Sequence, residues 1–193
     1  MKAVETRIAD VKLLEPQVFE DSRGSFFESY NKRVLAKLSI RGNFVQDNQS
    51  FSRRDVVRGL HYQIRHPQGK LIRCVSGEIF DVALDLRRDS PTFCQWVGET
   101  LSSSNRKMLW VPPGFAHGFM VLSEGAEVLY KATDFYAPQH ERTIIWNDPA
   151  LKIDWPCGNR AILSAKDSAG VPLERAVGAL ARQSGARFLP SDG

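Results

Sequence analysis

Residues 70–86 read Lys70-Leu71-Ile72-Arg73-Cys74-Val75-Ser76-Gly77-Glu78-Ile79-Phe80-Asp81-Val82-Ala83-Leu84-Asp85-Leu86, and this stretch decides the fold class. Two apolar and β-branched runs flank Ser76-Gly77, a pair that favours a tight turn. The pattern predicts a hairpin with arms Lys70–Val75 and Glu78–Leu86. Side chains alternate across a strand, so Phe80, Val82, Leu84 and Leu86 share one face and Asp81 and Asp85 share the other. The first face is expected to be buried and the second to be polar.

The same punctuation recurs on either side, at Asp21-Ser22-Arg23-Gly24, His66-Pro67-Gln68-Gly69, Asp89-Ser90-Pro91 and Pro112-Pro113-Gly114. Short apolar or alternating segments lie between these turns, and further strands are predicted at Lys107–Val111, His117–Leu122 and Glu127–Thr133. Regularly spaced short strands indicate an all-β sandwich or barrel rather than βαβ units. Only Lys32–Leu38 reads as a helix, with Val34, Leu35 and Leu38 on one side. From about Val177 small and polar residues dominate, which predicts a mobile tail over 177–193 behind a single domain of residues 1–176. The length of 193 residues suits one domain with a sizeable core.

Composition narrows the function classes. The cysteines Cys74, Cys94 and Cys157 are widely spaced with no CxxC pair, so they read as reduced structural thiols rather than as a disulfide framework or a zinc cluster. No apolar run is long enough to span a bilayer, and the opening MKAVETRIADV lacks the apolar stretch of a signal peptide. The chain is therefore expected in the cytosol, with no membrane partner. The net charge of +4 is spread along the sequence without a basic stripe interleaved with aromatics, which argues against nucleic acid as a partner. A few positive charges converging on a phosphorylated small molecule account for it equally well.

Several residues could carry chemistry. His61, in Arg58-Gly59-Leu60-His61-Tyr62-Gln63, reads either as a general base or as a hydrogen-bonded structural histidine. A metal-binding jelly roll often sets two histidines two apart on one strand face, but here the second position is Gln63. With His66, His117 and His140 scattered, the pattern argues against a bound metal. Lys70 is either a solvated strand end or an ammonium that points inward to stabilise an oxyanion. His117, between Gly114 and Gly118, reads as a site histidine or as support for another group. Tyr130 is a tethered core phenol or a general acid. Arg23, Phe26 and Glu28 combine phosphate-binding and base-stacking chemistry, with a surface ion pair plus core phenylalanines as the competing account.

Taken in order and spacing, these segments resemble one family, the dTDP-4-dehydrorhamnose 3,5-epimerases. The stretches that carry the resemblance include Asp21-Ser22-Arg23-Gly24, Phe44-Val45-Gln46-Asp47-Asn48, Val57-Arg58-Gly59-Leu60-His61-Tyr62-Gln63 and Gln68-Gly69-Lys70-Leu71-Ile72. They continue through Gly77-Glu78-Ile79-Phe80-Asp81-Val82, Pro113-Gly114-Phe115-Ala116-His117-Gly118-Phe119, Tyr130-Lys131, Trp146-Asn147-Asp148-Pro149 and Leu163-Ser164-Ala165-Lys166-Asp167. Together they span Phe19 to about Asp167.

The resemblance implies a cupin-type jelly-roll β-barrel with a few short helices, acting on a dTDP-sugar without metal or cofactor. It also implies a homodimer in which the N-terminal strand of one subunit helps build the nucleotide site of the other. By motif position, His61 is similar to the family's base, Asp167 to the carboxylate that orients it, Lys70 to the group facing the sugar C4 oxygen, and Tyr130 to the acid on the opposite ring face. Implied substrate contacts are Arg23, Phe26, Glu28, Gln46, Asn48, Arg58, His117, Tyr136, Glu141 and Lys166, with Arg23 and Arg58 on the pyrophosphate and Gln46 and Phe26 on the thymine. Arg58 and His61 are three apart and can line one cavity only if the strand is bulged, for which Gly59 is the natural place.

Two positions depart from the family pattern: Phe135 stands where a tyrosine is common, and Arg142 where glycine is frequent. Arg142 is expected to crowd or recharge the site. The competing readings are an epimerase acting at C3 or C5 alone, a non-catalytic sugar-nucleotide-binding jelly roll, and a metal-dependent cupin.

Overall fold

The computed structural model describes residues 1–156, 158 and 160–184. In chain order the strands are Lys2–Glu5 (β1), Lys12–Glu15 (β2), Val18–Asp21 (β3), Gly24–Phe27 (β4), Gln46–Arg53 (β5), Val57–Gln63 (β6) and Lys70–Ser76 (β7). They continue with Glu78–Asp85 (β8), Trp96–Ser102 (β9), Met108–Val111 (β10), Phe115–Val121 (β11), Gly125–Ala132 (β12) and Glu141–Thr143 (β13). The helices are Lys32–Lys37 (α1), Ala165–Ser168 (α2) and Leu173–Ser184 (α3).

Two antiparallel sheets face each other, one in the order β1-β2-β10-β7-β12-β5 and the other β13-β6-β11-β8-β9, while β3 and β4 form a separate two-stranded ribbon. This is the all-β sandwich that the strand pattern predicts and the jelly roll that the family resemblance implies. Ile72, Cys74, Leu109 and Val128 from the first sheet meet Ile79, Ala83, Val121 and Phe119 from the second to fill the space between them. The outer face of the first sheet is covered by Leu35 of α1 and Ile40, which pack on Leu14, Leu71 and Met108. The outer face of the second is covered by Trp155 and by Leu173 and Ala176 of α3.

The stretch that announced the fold does not pair as predicted. Strand β7 bonds to β10 and β12, whereas β8 bonds to β11 and β9, so Ser76-Gly77 is a corner between sheets and not a hairpin turn. Gly77 takes φ +77°, and a Cβ there would lie 2.1 Å from the Gly125 carbonyl oxygen. The close approach of the β12 entry at the corner explains why the turn signal is strong although no hairpin follows.

The Asp81–Asp85 face is also not solvated, because both carboxylates are fully buried inside the sandwich. Buried charge survives only with partners. Asp85 accepts from Arg87, Ser90 and Thr92. Burial alone would raise its pKa, but these donors outweigh it and bring the carboxyl down to about 2.

Helix α1 matches its prediction within one residue, and Asn31 caps it by accepting from Arg33 and Val34 N–H. Helices α2 and α3 are not among the elements predicted from the sequence. Helix α3 crosses the expected boundary at residue 176, with Val177 and Leu180 packed toward the second sheet. Residues 185–193 of the expected tail, and Cys157, lie outside the described residues. Among the described residues no helix is long and apolar enough to cross a membrane.

Candidate active site

His61 on β6 and His117 on β11 are direct cross-strand partners, so both imidazoles project from one face of the second sheet. One step further, Phe119 pairs with Arg58, and two residues of β6 oppose one of β11. Gly59 makes this bulge possible. It adopts φ +112°, and a Cβ there would stand 2.6 Å from both Gly118 Cα and the His117 carbonyl oxygen. The bulge turns Arg58 and His61 onto one cavity, as its position in the sequence predicts.

That cavity, about 320 Å³, opens between the inner faces of the sheets, within the range of small-ligand sites. Gln46 and Asn48 of β5, Lys70 of β7 and Tyr130 of β12 line the first-sheet wall. Arg58, His61 and His117 line the opposite wall, and Tyr136, Glu141 and Lys166 complete the lining. The polar cleft thus caps the apolar interior at one end of the sandwich.

His61 Nε2 lies 2.6 Å from Asp167 Oδ1, which also accepts the Gly59 N–H at 3.2 Å. The Ser164 hydroxyl donates to Asp167 Oδ2 at 2.6 Å, and its oxygen accepts the Asp167 N–H as the cap of α2. Burial raises the Asp167 pKa, but the bonds from His61, Ser164 and Gly59 prevail and hold the carboxyl below its ordinary range. An ionised carboxylate only accepts, so Nε2 carries the proton and the Nδ1 lone pair is left for the cavity.

Lys70 is pushed down to about 8 by burial, against the pull of Glu141 and Asp81 and with help from Lys166. The Tyr130 phenol is raised, first by burial and then by Glu141, so it keeps its proton at neutral pH. Glu141 accepts from Lys166 and from the Tyr136 hydroxyl, the latter at 2.8 Å. His117 is held by Asp81 at 2.9 and 3.0 Å from its two carboxylate oxygens. An imidazole on one wall, facing a protonated phenol and a lysine on the other, can move a proton through a carbon acid without other reagents.

A protein-family model described as dTDP-4-dehydrorhamnose 3,5-epimerase matches residues 5–175. The chain belongs to this family. It is similar to the dTDP-4-dehydrorhamnose 3,5-epimerase of Pseudomonas aeruginosa, 62% identical over 88% of this chain and 94% of that one. The Salmonella typhimurium enzyme of the same name is 54% identical over 92% and 98% of the two chains. Among solved structures, the dTDP-6-deoxy-D-glucose-3,5-epimerase of Legionella pneumophila in complex with dTDP-4-keto-L-rhamnose superposes with a TM-score of 0.89 at 48% identity, covering 93% of this chain and 96% of that one.

Of the positions matched to the epimerase family, His61, Lys70, Tyr130, Gln46, Asn48, Arg58, His117, Tyr136, Glu141 and Lys166 all line the cavity, and Asp167 stands directly behind His61. Arg23, Phe26 and Glu28 do not. They lie on or just after the β3–β4 ribbon, where Phe26 is 71% exposed, Arg23 pairs with Asp21, and Glu28 accepts from Asn31.

The epimerase site is not crowded by Arg142, contrary to expectation. On β13 it alternates with Glu141, so its exposed side chain turns away from the cavity and donates to the Gln139 and Glu141 carbonyls. Phe135 is likewise exposed, outside the cavity lining. Sequence reasoning missed Asp81, the partner of His117, and Ser164, the partner of Asp167. The Ser164-Ala165-Lys166-Asp167 capping pattern was a readable signal for the second, but nothing local pointed to the first.

Proposed function

We propose that this family member inverts C3 and C5 of dTDP-4-dehydro-6-deoxy-D-glucose, giving dTDP-4-dehydro-L-rhamnose, with His61 as base and Tyr130 as acid. One observation carries the reading. The His61 imidazole, its Nε2 pinned by Asp167, stands across the cleft from the protonated Tyr130 phenol, with Lys70 on the same wall as Tyr130.

A C–H bond beside a ketone is a weak acid until its enolate is stabilised. His61 Nδ1 takes the proton while the C–H electron pair moves toward the C4 oxygen, where the Lys70 ammonium meets the developing charge. One such donor is worth roughly 3–4 kcal/mol. Tyr130 then gives its proton to the opposite face of the same carbon, which inverts it. The imidazolium and phenolate reset through solvent before the second carbon reacts. No step needs a metal or cofactor.

Arg58, whose guanidinium is steadied by Ser52 Oγ and the Phe51 carbonyl, is assigned to the pyrophosphate, and Gln46 to the thymine. The β3–β4 ribbon is assigned to the neighbouring subunit's cleft, bringing Arg23, Phe26 and Glu28 there in a homodimer. The exposure of Phe19 and Phe26 on a ribbon tethered by Arg106 to Glu20 and Ser25 supports this. The free thiols of Cys74 and Cys94 suit a cytosolic enzyme.

The test is proton NMR of the product formed in deuterated water. Deuterium at both C3 and C5, with rhamnose appearing after a reductase and NADPH are added, is the expected result. Deuterium at one carbon selects a single epimerase. Tight binding with no incorporation overturns catalysis on this sugar.

A further inference from the structure

Gln63 occupies the strand position where a metal cupin would carry a second histidine, and the mechanism above does not use it. It ends β6 two residues after His61 and is buried. Its Nε2 donates to the His66 carbonyl at 2.7 Å and the Phe135 carbonyl at 3.3 Å, and its Oε1 accepts the Ala137 N–H at 2.8 Å. That is three of the four hydrogen bonds an amide can make. Two carbonyls on one side and an N–H on the other also fix which way the amide faces.

The partners belong to two different loops. One, residues 64–69, leads directly into Lys70. The other, residues 133–137, carries Tyr136. The stem of the second loop is tied to the first by Thr133 Oγ1, which accepts the Gly69 N–H, and by Gln68, which donates to the Asp134 carbonyl. Its tip has no comparable apolar anchor, since Phe135 is 64% and Tyr136 50% exposed. Polar contacts therefore hold it: Gln63 on both sides of Tyr136, the Tyr136 N–H to Gln46, and the phenol to Glu141. A segment with little buried apolar area opens easily when such bonds are lost.

We propose that Gln63 is a positioning residue: it latches the Tyr136 loop against the strand that carries the base, and so sets how firmly the sugar nucleotide is held between the two inversions. The inference rests on the reading of Tyr136 as a substrate contact.

The test uses the full chain with Gln63→Met, which keeps the shape and removes the bonds, and Gln63→Glu, which keeps the acceptor for Ala137. Each is combined with Tyr136→Phe. For Gln63→Met we expect KM to rise about tenfold, equivalent to one buried hydrogen bond, while kcat changes less than about threefold. Singly deuterated, singly inverted sugar should appear free in solution. Tyr136→Phe should cost markedly less in the Gln63→Met background than in wild type, since the latch acts through that loop.

Unchanged KM and product pattern, or additive effects in the cycle, would assign Gln63 to stability alone and overturn the proposal. If Gln63→Met does not fold, Gln63→Glu carries the comparison: it keeps the acceptor for Ala137 but turns a carboxylate oxygen toward the His66 and Phe135 carbonyls, so KM should rise at least as much. In the wild type, rapid hydrogen exchange at the Ala137 amide would overturn the latch without any variant. Absence of deuterium at C3 and C5 with wild-type protein is a separate failure, that of the parent reading.

Discussion

Two histidine–aspartate pairs stand on neighbouring strands at the cavity, and their differences support assigning His61 to the reaction and His117 to its support. His61 keeps 24% of its side chain exposed and His117 only 7%. His61 meets a single carboxylate oxygen of a residue 106 positions away, brought in by α2 and oriented further by Ser164 and the Gly59 N–H. His117 meets both oxygens of Asp81, 36 positions away, on the adjacent strand β8. The first carboxylate is thus brought from outside the sheet, fixed by Ser164 and by the Gly59 N–H of β6, and leaves one ring nitrogen facing an open cavity. The second lies within the sheet and anchors an imidazole at the cavity floor. Identical side-chain chemistry acquires different roles through access and orientation.

The comparison breaks most sharply at His61. His61→Ala is expected to lower kcat by about 10³–10⁴-fold and to stop deuterium entering C3 and C5, with nucleotide binding retained. His117→Ala should instead act mainly on KM. Equal loss of exchange in both variants would erase the distinction.

Lys70 gives the next largest effect, because its ammonium is assigned to the charge that develops on the C4 oxygen. Lys70→Met should cost about 10²-fold in kcat. In the wild type the ammonium is the useful form, so kcat/KM is expected to fall as pH rises through about 8, the value to which burial depresses Lys70. The kcat limb should lie higher, since a bound pyrophosphate favours the charged amine. Lys70→Met should lack this limb, and a limb unchanged in the variant would assign it to another group.

The smallest effect is expected at Asp81→Asn, which exchanges one acceptor oxygen for an amide at the cavity floor. Stability should drop by about 1–3 kcal/mol in denaturant titration, with kcat/KM down no more than about tenfold. A loss as large as that of His61→Ala would promote the second pair to the chemistry itself.

Local pattern determined the all-β class, the positions of most strands, the α1 helix with its Asn31 cap and the bulge at Gly59, because each depends on alternation, turn chemistry or steric limits that a few adjacent residues express. The motifs also named the residues that line the cleft. Tertiary structure alone decided how they meet. The strands flanking Gly77 look like a hairpin, yet they separate into two sheets, since pairing is settled by the whole sandwich and not by the turn. Asp81 and Asp85 read as a polar face, but their burial inside the sandwich is not legible from the pattern, because the folded chain brings His117, Arg87, Ser90 and Thr92 to satisfy them. Asp167 reaches His61 across 106 residues. Gln63 becomes a latch only when two loops arrive at its amide. Apart from the Asp85 partners, which lie two to seven residues away, these features depend on contacts between residues distant along the chain, which leave no periodicity to read.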